Sequence, residues 1–299
     1  MNSLFLKSFW QFSRPHTIIG TTLSTIALFI VAMTYTEFYQ ISFFSLMIAL
    51  LSTWFGNIYI VGLNQYYDVE IDKINKPCLP LASGAFSLRT GRRMIVLCGI
   101  AAIILSSHDI YLFGVIMISL LIGTFYSMPP IRLKRFPFWA AMSILVVRGI
   151  VVNIGIFLYF LHQFGRPPFV PPPIWLLAIF FVGFGVAIAI LKDVPDITGD
   201  RIFKIRTFAL GIGAKNIYRI ALSILTVSYL LLIIAGFVRI EGMNHIGLVV
   251  AHLIILIIVL MVSKKVDLTQ KGSVTSFYMF VWKLFFLEYI IFPILCVLS

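Results

Sequence analysis

Charged side chains are scarce in this chain of 299 residues. They account for 11% of the sequence, less than half of the roughly 25% that is typical of a soluble globular domain. Hydrophobic residues account for 61%, and the mean hydropathy is +1.04. Because so little polar surface is available to face water, the composition excludes an ordinary soluble domain and indicates an integral membrane protein.

Cysteine is also rare, and the commonest metal and nucleotide motifs are absent. The three cysteines, Cys78, Cys98 and Cys296, form no spaced cluster, and an odd number argues against a disulfide framework. We expect all three to be small buried side chains. The five histidines lack metal-ligand spacing, and the sequence contains neither a Walker loop nor an H-E-x-x-H motif. These absences argue against a P-loop nucleotide enzyme and a zinc peptidase.

Long apolar segments fill most of the chain. A helix needs about 20 mostly apolar residues to cross the hydrocarbon, because every backbone amide must be paired within its own segment there. Pro129, Pro130, Pro137 and the prolines at 171–173 fall between such segments, where helix breakers belong. The sequence therefore predicts one transmembrane domain over residues 1–299, an all-α bundle of nine spans. The predicted spans are 16–35, 43–63, 91–107, 109–127, 138–161, 174–192, 216–238, 244–262 and 275–298.

Basic residues outnumber acidic ones by 23 to 11, and they are unevenly distributed. If the N-terminus is cytoplasmic (or stromal), all but four of the 23 lie on that side of the predicted bundle; the four exceptions are Arg148, Arg166, Arg239 and Lys283. This is the positive-inside pattern of membrane proteins. It explains the net charge of +12 by contact with the bilayer, and we predict no nucleic-acid partner.

Two clusters of aspartates interrupt this apolar sequence. The first lies in "NQYYDVEIDKINKPCLPLASG" from Asn64 to Gly84, and the second lies in "LKDVPDITGDRIFKIRTFALG". Both contain two aspartates four residues apart followed by a base, and each follows an even-numbered span. Spacing of four places Asp68 with Asp72, and Asp196 with Asp200, on one face of a helix. The two clusters are therefore predicted to meet at one end of the bundle.

Carboxylates brought together in this way repel one another, so we expect them to hold a cation. Mg²⁺ is a hard ion that prefers oxygen ligands, and it usually binds through a few carboxylates while leaving positions open for substrate phosphates. A diphosphate is the natural third partner, with nearby bases holding its remaining charge. Acidic groups at membrane depth are costly and usually functional.

These residues resemble the signatures of the UbiA superfamily of membrane prenyltransferases. The first cluster is similar to the signature N-[DQ]-x-x-D-x-x-x-D, Asp196 to Asp200 is similar to the second signature, and "YSMPPIRLKR" from Tyr126 to Arg135 is similar to the loop after the fourth helix. Gln65, "DKINKPCLPLASG" with Leu79, and "KDVPDITGD" look most like the homogentisate prenyltransferases of tocopherol and plastoquinone synthesis, of the phytyltransferase type. The resemblance covers nearly the whole chain. Because the N-terminus lacks a Ser/Arg-rich transit leader, we expect a bacterial, above all cyanobacterial, member or a processed plastid one.

The resemblance implies Mg²⁺-dependent transfer of a polyprenyl group, of the phytyl or geranylgeranyl type, from its diphosphate to an aromatic acceptor. It assigns Asn64, Asp68 and Asp72 to one metal ion, Asp196 and Asp200 to another with Asp193 in support, and Tyr126 to the allylic cation. For the bases that hold the diphosphate we predict Lys134 and Arg206 first, and Lys73 and Arg201 after them. That cation needs dry, aromatic surroundings, since water would convert it to an alcohol.

The implied acceptor is homogentisate, whose carboxylate is lost as CO₂ when the adjacent carbon is alkylated. Arg148, inside the fifth span, and Arg14, in the stretch "SRPHT" that opens the first span, are the candidates to pair with that carboxylate. For Arg14 the alternative is a side chain that snorkels to the membrane interface. We expect Lys283 and Glu288, in the last span, to neutralise each other.

Two alternatives stay open from the sequence. In the first alternative, the chain is a prenyltransferase whose acceptor is another phenol or a chlorophyllide-like alcohol. In the second the chain is a cation-coupled transporter, in which buried acids bind ions in transit. Transporters usually carry such acids near the membrane midplane on broken helices, whereas both clusters here follow the ends of spans. The sequence leaves the length of the prenyl chain and the oligomeric state open.

Overall fold

The computed structural model describes residues 3–37, 40–202 and 207–299, apart from the side chains of Ser3 and of residues 198–200. About 80% of the chain is helical, and the described residues contain no strand. The helices are α1 (Ser3–Phe12), α2 (Pro15–Met33), α3 (Phe43–Tyr67), α4 (Val69–Asn75), α5 (Leu88–Ser106), α6 (Ile110–Ser127), α7 (Pro137–Leu145), α8 (Val152–Gln163), α9 (Pro172–Leu191), α10 (Asp193–Ile202), α11 (Phe208–Ile212), α12 (Ala214–Val238), α13 (His245–Ser263) and α14 (Lys271–Val297). A π-helical segment, Val146–Val151, joins α7 to α8, and a 3₁₀ turn, Leu133–Arg135, precedes α7.

Every predicted span lies on helical structure, and the fifth covers α7, the π-helical segment and α8. Eight helical segments in the described part of the chain, rather than nine, are long and apolar enough to cross a membrane. The ninth is α5, whose first turns carry Arg89, Arg92 and Arg93. Only its remainder, from Met94 onward, is apolar. The all-α membrane bundle is confirmed, and the count of nine spans stays a prediction.

Short polar residues determine where several of these helices begin. Ser42 accepts a hydrogen bond from the backbone of Ser45 at the start of α3, and Ser87 caps α5 through Thr90. Asp109 accepts from two backbone amides at the start of α6. Such side chains pair the amides that a helix leaves free at its N-terminus. The connections therefore end one span and begin the next within a few residues.

The centre of the bundle is α9, most of whose residues are buried. It packs against α7, α8, α12, α14 and the π-helical segment. Aromatic rings fill this core, and Phe181 stacks on Tyr289 with ring centroids 4.3 Å apart. Large apolar side chains such as Phe44, Phe237 and Ile246 are exposed on the outside of the bundle. That surface fits lipid, which replaces water as the solvent around the spans.

Two expectations about individual residues are wrong. Glu288 is fully buried and pairs with His252 of α13, 3.1 Å away, whereas Lys283 is exposed on the other side of α14. The two are five residues apart, which on a helix turns them to different faces. Cys78 is exposed, while Cys98 and Cys296 are buried.

The exposed thiol of Cys78 gives a direct test of the predicted sidedness. The loop after α4 is expected on the cytoplasmic (or stromal) side, and the α5–α6 connection on the opposite side. A membrane-impermeant maleimide should therefore label wild-type protein only when the cytoplasmic face is accessible. A Cys78→Ser/Ser107→Cys variant should label only from the other face, because Ser107 is exposed between α5 and α6. Labelling of both positions from the same face would contradict this topology.

Candidate active site

The two acidic clusters meet at one end of the bundle. Asp68 lies at the junction of α3 and α4, and Asp193 begins α10 directly after α9. In both places a short helix continues from a long span, and α4 packs against α10. The ammonium group of Lys76, just after α4, forms an ion pair with the Oδ2 atom of Asp196 on α10. This contact confirms that the clusters share one end.

Asp68 is the most heavily bonded of these acids. Its Oδ2 accepts a hydrogen bond from the Asn64 amide at 2.9 Å, and its Oδ1 pairs with Arg132 at 3.0 Å and with Lys134. The Lys134 side chain is only 9% exposed. Burial lowers the pKa of Lys134, although the attraction of Asp68 opposes that effect. Asp68 is therefore paired with two bases and one amide.

Asp72 is the opposite case. It is 4% exposed, and its Oδ2 has no hydrogen-bond partner among the described residues. Burial raises the pKa of Asp72 to about 6, and the neighbouring carboxylates of Asp68 and Asp196 add to the increase, while Arg14 and Lys76 oppose it. An unpaired buried carboxylate oxygen is costly. A cation placed against this oxygen would remove that cost.

One cavity connects these groups, with a volume of about 340 Å³. Its acidic end contains five oxygen donors predicted as metal ligands, namely Asn64, Asp68, Asp72, Asp193 and Asp196. The sixth predicted ligand, Asp200, has a side chain outside the described residues, although its backbone belongs to α10.

The donor set fits Mg²⁺ in its chemistry, because all the side chains offer oxygen and one acid has an unpaired atom. Among the described residues no three acids or histidines are yet grouped closely enough to hold an ion. Ammonium and guanidinium groups take the oxygen atoms of Asp68 and Asp196 instead. The oxygen atoms of Asp68 and Asp196 would become available to an ion if these bases moved onto another anion.

The bases around the cavity differ from those predicted. Lys134 lines it as expected. Lys73 does not, because it follows Asp72 by one residue and pairs with Glu70 on the exposed face of α4. Arg201 is exposed and does not line the cavity. Arg206 lies outside the described residues.

Sequence reasoning missed Lys76, Arg132 and Lys192 as site residues. Lys192 and Lys76 line the cavity, and Arg132 reaches Asp68 at its edge. The spacing could have predicted Lys76, because a residue four positions after Asp72 lies on the same face of the helix. Lys192 donates a 2.6 Å hydrogen bond to the hydroxyl of Tyr126 and lies 5.3 Å from the centre of its ring. Tyr126 thus lines the cavity as predicted, but its hydroxyl is held by a base.

Gln65, the residue that distinguishes the first motif, is not a cavity residue. Its side chain is 1% exposed and donates a 2.7 Å hydrogen bond to the Phe12 carbonyl, where α1 ends. It therefore joins α3 to the α1–α2 connection. Arg14, in that connection, has a left-handed backbone with φ 52° and donates to Asn64 at 3.1 Å. Arg14 thus belongs to the acidic end of the cavity.

Arg148 lies elsewhere in the same cavity, on the π-helical segment. The amide of Asn153 donates to the carbonyls of Arg148 and Gly149 at 2.9 Å each, and its oxygen accepts from Tyr289 at 2.8 Å. These bonds stabilise the widened turn, in which the usual i→i+4 pairing is lost. The Arg148 guanidinium packs on Trp282, 5.1 Å from the ring centre. It pairs with no carboxylate among the described residues, so the cavity contains a cation with no anion.

Comparison with known proteins identifies the family. The profile described as the UbiA prenyltransferase family matches residues 23–284. A homogentisate phytyltransferase of Synechocystis sp. is 49% identical over 97% of this chain and 95% of its own length. The chloroplastic homogentisate phytyltransferase 1 of Arabidopsis thaliana is 40% identical over 97% of this chain and 75% of its own.

A solved structure of a UbiA homolog from Archaeoglobus fulgidus, bound to GPP and Mg²⁺, has the same fold. It superposes with a TM-score of 0.66 over 96% of this chain and 99% of its own, at 17% identity. The family profile covers most of the chain, and the relatives align over nearly all of it. This membrane protein therefore belongs to the UbiA prenyltransferase family.

Proposed function

We propose that this enzyme transfers a long polyprenyl group, of the phytyl or geranylgeranyl type, from its diphosphate to homogentisate in a Mg²⁺-dependent reaction. One observation carries the proposal. A single cavity has acids and bases at one end, which suit a metal-bound diphosphate, and an isolated arginine elsewhere, which suits the carboxylate of an aromatic acid. The homogentisate phytyltransferases among its relatives support the acceptor.

Asn64, Asp68, Asp72 and the acids of α10 would hold the metal ions. When bound, Mg²⁺ supplies Lewis-acid stabilisation of the charge that develops on the leaving diphosphate. Lys76, Lys134 and Arg132 would then bind diphosphate oxygen atoms in place of the carboxylates they pair with here, and Lys192 would bind them in place of the Tyr126 hydroxyl. Their positive charge counts most while the C–O bond breaks, when negative charge collects on those oxygens.

The remainder of the cavity protects the allylic cation and holds the acceptor. Trp282, Phe285 and Tyr289 line it together with aliphatic side chains from α6 and α7. Aromatic faces attract a cation and exclude water, which would otherwise trap it. Arg148 would hold the acceptor carboxylate among these rings, so that the acceptor ring faces the carbon that loses the diphosphate. The acids lie at the ends of spans rather than at the midplane, an arrangement that favours this reaction over ion transport.

The test combines a substrate panel with one charge removal. Purified protein is assayed with phytyl and geranylgeranyl diphosphates against homogentisate and against methylhydroquinone, which lacks the carboxylate. Wild-type enzyme should prefer homogentisate. The Arg148→Gln variant should raise KM for homogentisate about tenfold or more, because a charge-assisted bond to the carboxylate is lost, and should leave KM for the donor nearly unchanged.

Arg93→Gln is the matched control, because Arg93 is exposed on α5 outside the cavity. It should behave as wild type. Wild-type enzyme that prenylates neither acceptor would reject the proposed reaction, and an unchanged homogentisate KM in Arg148→Gln would reject the role of Arg148 alone.

A further inference from the structure

His16 is a cavity residue to which neither the motifs nor the proposed reaction has given a role. It lies in the first turn of α2, two residues after Arg14, and its side chain lines the cavity. Its imidazole packs edge-on against Trp282, with ring centroids 4.9 Å apart. Neither ring nitrogen makes a hydrogen bond within the described part of the chain, so both are available to a ligand.

The same indole joins His16 to Arg148. The guanidinium of Arg148 lies 5.1 Å from the Trp282 ring and the imidazole lies 4.9 Å from it, so both groups flank one wall of the cavity. A phenolic acid whose carboxylate was bound by Arg148 would have its ring against this wall. Its hydroxyl groups would then lie within reach of His16, the one imidazole among the described residues that line the cavity.

The charged groups that face His16 are cations. Arg14 approaches from the start of α2, Arg148 from the π-helical segment and Lys76 from the end of α4. No described carboxylate pairs with the imidazole. A neutral imidazole can accept a proton, and these cations favour the anion that forms when a phenol loses its proton. The same cations disfavour the imidazolium, so the ring has to return the proton once the new bond has formed.

We propose that His16 is the general base that removes the phenol proton of the acceptor, an inference that rests on the proposed reaction. The O–H electron pair moves into the ring, and a ring carbon forms the C–C bond to the allylic carbon as the C–O electron pair departs with the diphosphate. When the carboxylate leaves as CO₂, the electron pair of the broken C–C bond stays on the side-chain carbon. That carbon takes up the proton that the alkylated ring carbon releases. The imidazolium returns its proton to the phenol oxygen, so no proton is gained or lost overall.

The step predicts a selective defect in the His16→Asn variant, which keeps a polar side chain of similar reach but removes the base. Its kcat with homogentisate should fall about a hundredfold, within the range for loss of a positioned general base. KM for the donor should stay within about threefold of wild type. Mg²⁺-dependent release of diphosphate should continue, with prenyl alcohol as the product, because breaking the C–O bond does not need this base.

Rescue separates a catalytic role from a structural one. A ring-fluorinated homogentisate has a more acidic phenol and needs the base less. The loss of kcat in His16→Asn relative to wild type should therefore be at least tenfold smaller with this analogue than with homogentisate. His108→Asn is the control, because His108 is exposed and bonds only outside the cavity. Both variants should unfold at the wild-type temperature.

Three results would overturn the inference. The first is a kcat of His16→Asn within threefold of wild type. The second is an equal loss of rate with homogentisate and with its ring-fluorinated analogue. The third is loss of both diphosphate release and ring alkylation, which would indicate a disturbed cavity. Failure of the wild-type enzyme to prenylate homogentisate would overturn the proposed function as well, and the wild-type assay reports that separately.

Discussion

Chelation of divalent metal is expected to abolish prenyl transfer while the helical bundle stays folded. The diphosphate and the aspartates around the cavity are all anionic, so without a cation between them they repel. Among the residues that the structure describes, no group pairs with the Oδ2 of buried Asp72, so they leave part of this charge uncompensated. Loss of the main electrostatic stabiliser of a leaving group costs at least about a hundredfold in rate. The measurement is product formation in EDTA, followed by titration with Mg²⁺.

Two controls make this result specific. Thermal unfolding in EDTA should occur no more than a few degrees below the value in Mg²⁺, because the core of α9, α12 and α14 is built from apolar packing that does not involve the acids. Ca²⁺ should restore activity poorly, since it is larger and adopts less regular coordination than Mg²⁺. Full turnover in EDTA would remove the aspartates from the role proposed for them.

The convergence of the acids was predictable because it depends on short-range rules. A spacing of four fixes a common helix face, and the parity of the spans fixes a common end of the bundle. Both rules hold for Asp68, Asp72 and Asp196. The same helical geometry corrects the choice of bases. Lys73, directly after Asp72, turns away from it, whereas Lys76, four residues after Asp72, shares its face.

Other features depend on contacts that are distant in sequence. The π-helical segment forms where Asn153 and Tyr289 stabilise a widened turn, and residues from two helices 136 positions apart are needed for that bond. The pairing of Glu288 with His252 likewise joins α13 to α14. In the sequence Gln65 occupies a position of the metal-binding motif, yet its side chain donates a hydrogen bond to the backbone at the end of α1. Single-sequence patterns carry no information on such partners, because they record spacing along one helix only.

Replacing Asp72 and Asp200 by asparagine, singly and together, is expected to show whether the two acidic clusters act on one substrate. Asparagine keeps the size of the side chain and removes its charge. Each single variant should lose about two orders of magnitude or more in single-turnover rate, because the carboxylates stabilise charge that appears mainly as the C–O bond breaks. The double variant should lose much less than the product of the two losses, since residues that act as one unit are not additive.

Stability provides the complementary readout. Because burial raises the pKa of Asp72 to about 6 in the folded protein, its ionised form is disfavoured by folding, so without metal the wild-type protein is destabilised above that pH. Asp72→Asn should therefore unfold at a higher temperature than wild type in EDTA at neutral pH. The gain should shrink as pH falls through about 6 and vanish below the model-peptide value near 4, where the wild-type carboxyl is neutral too.

Glu70→Gln is the matched control for both measurements, because Glu70 lies on the same short helix but is exposed and pairs with Lys73. Its activity and its pH dependence should equal those of wild type. Strictly multiplicative losses in the double variant, or an active Asp200→Asn enzyme, would show that the clusters do not share a diphosphate. Non-additive losses of rate are expected if both clusters act on one diphosphate held between α4 and α10, and a pH-dependent stability gain in Asp72→Asn but not in Glu70→Gln is expected if the Asp72 carboxylate is buried as described.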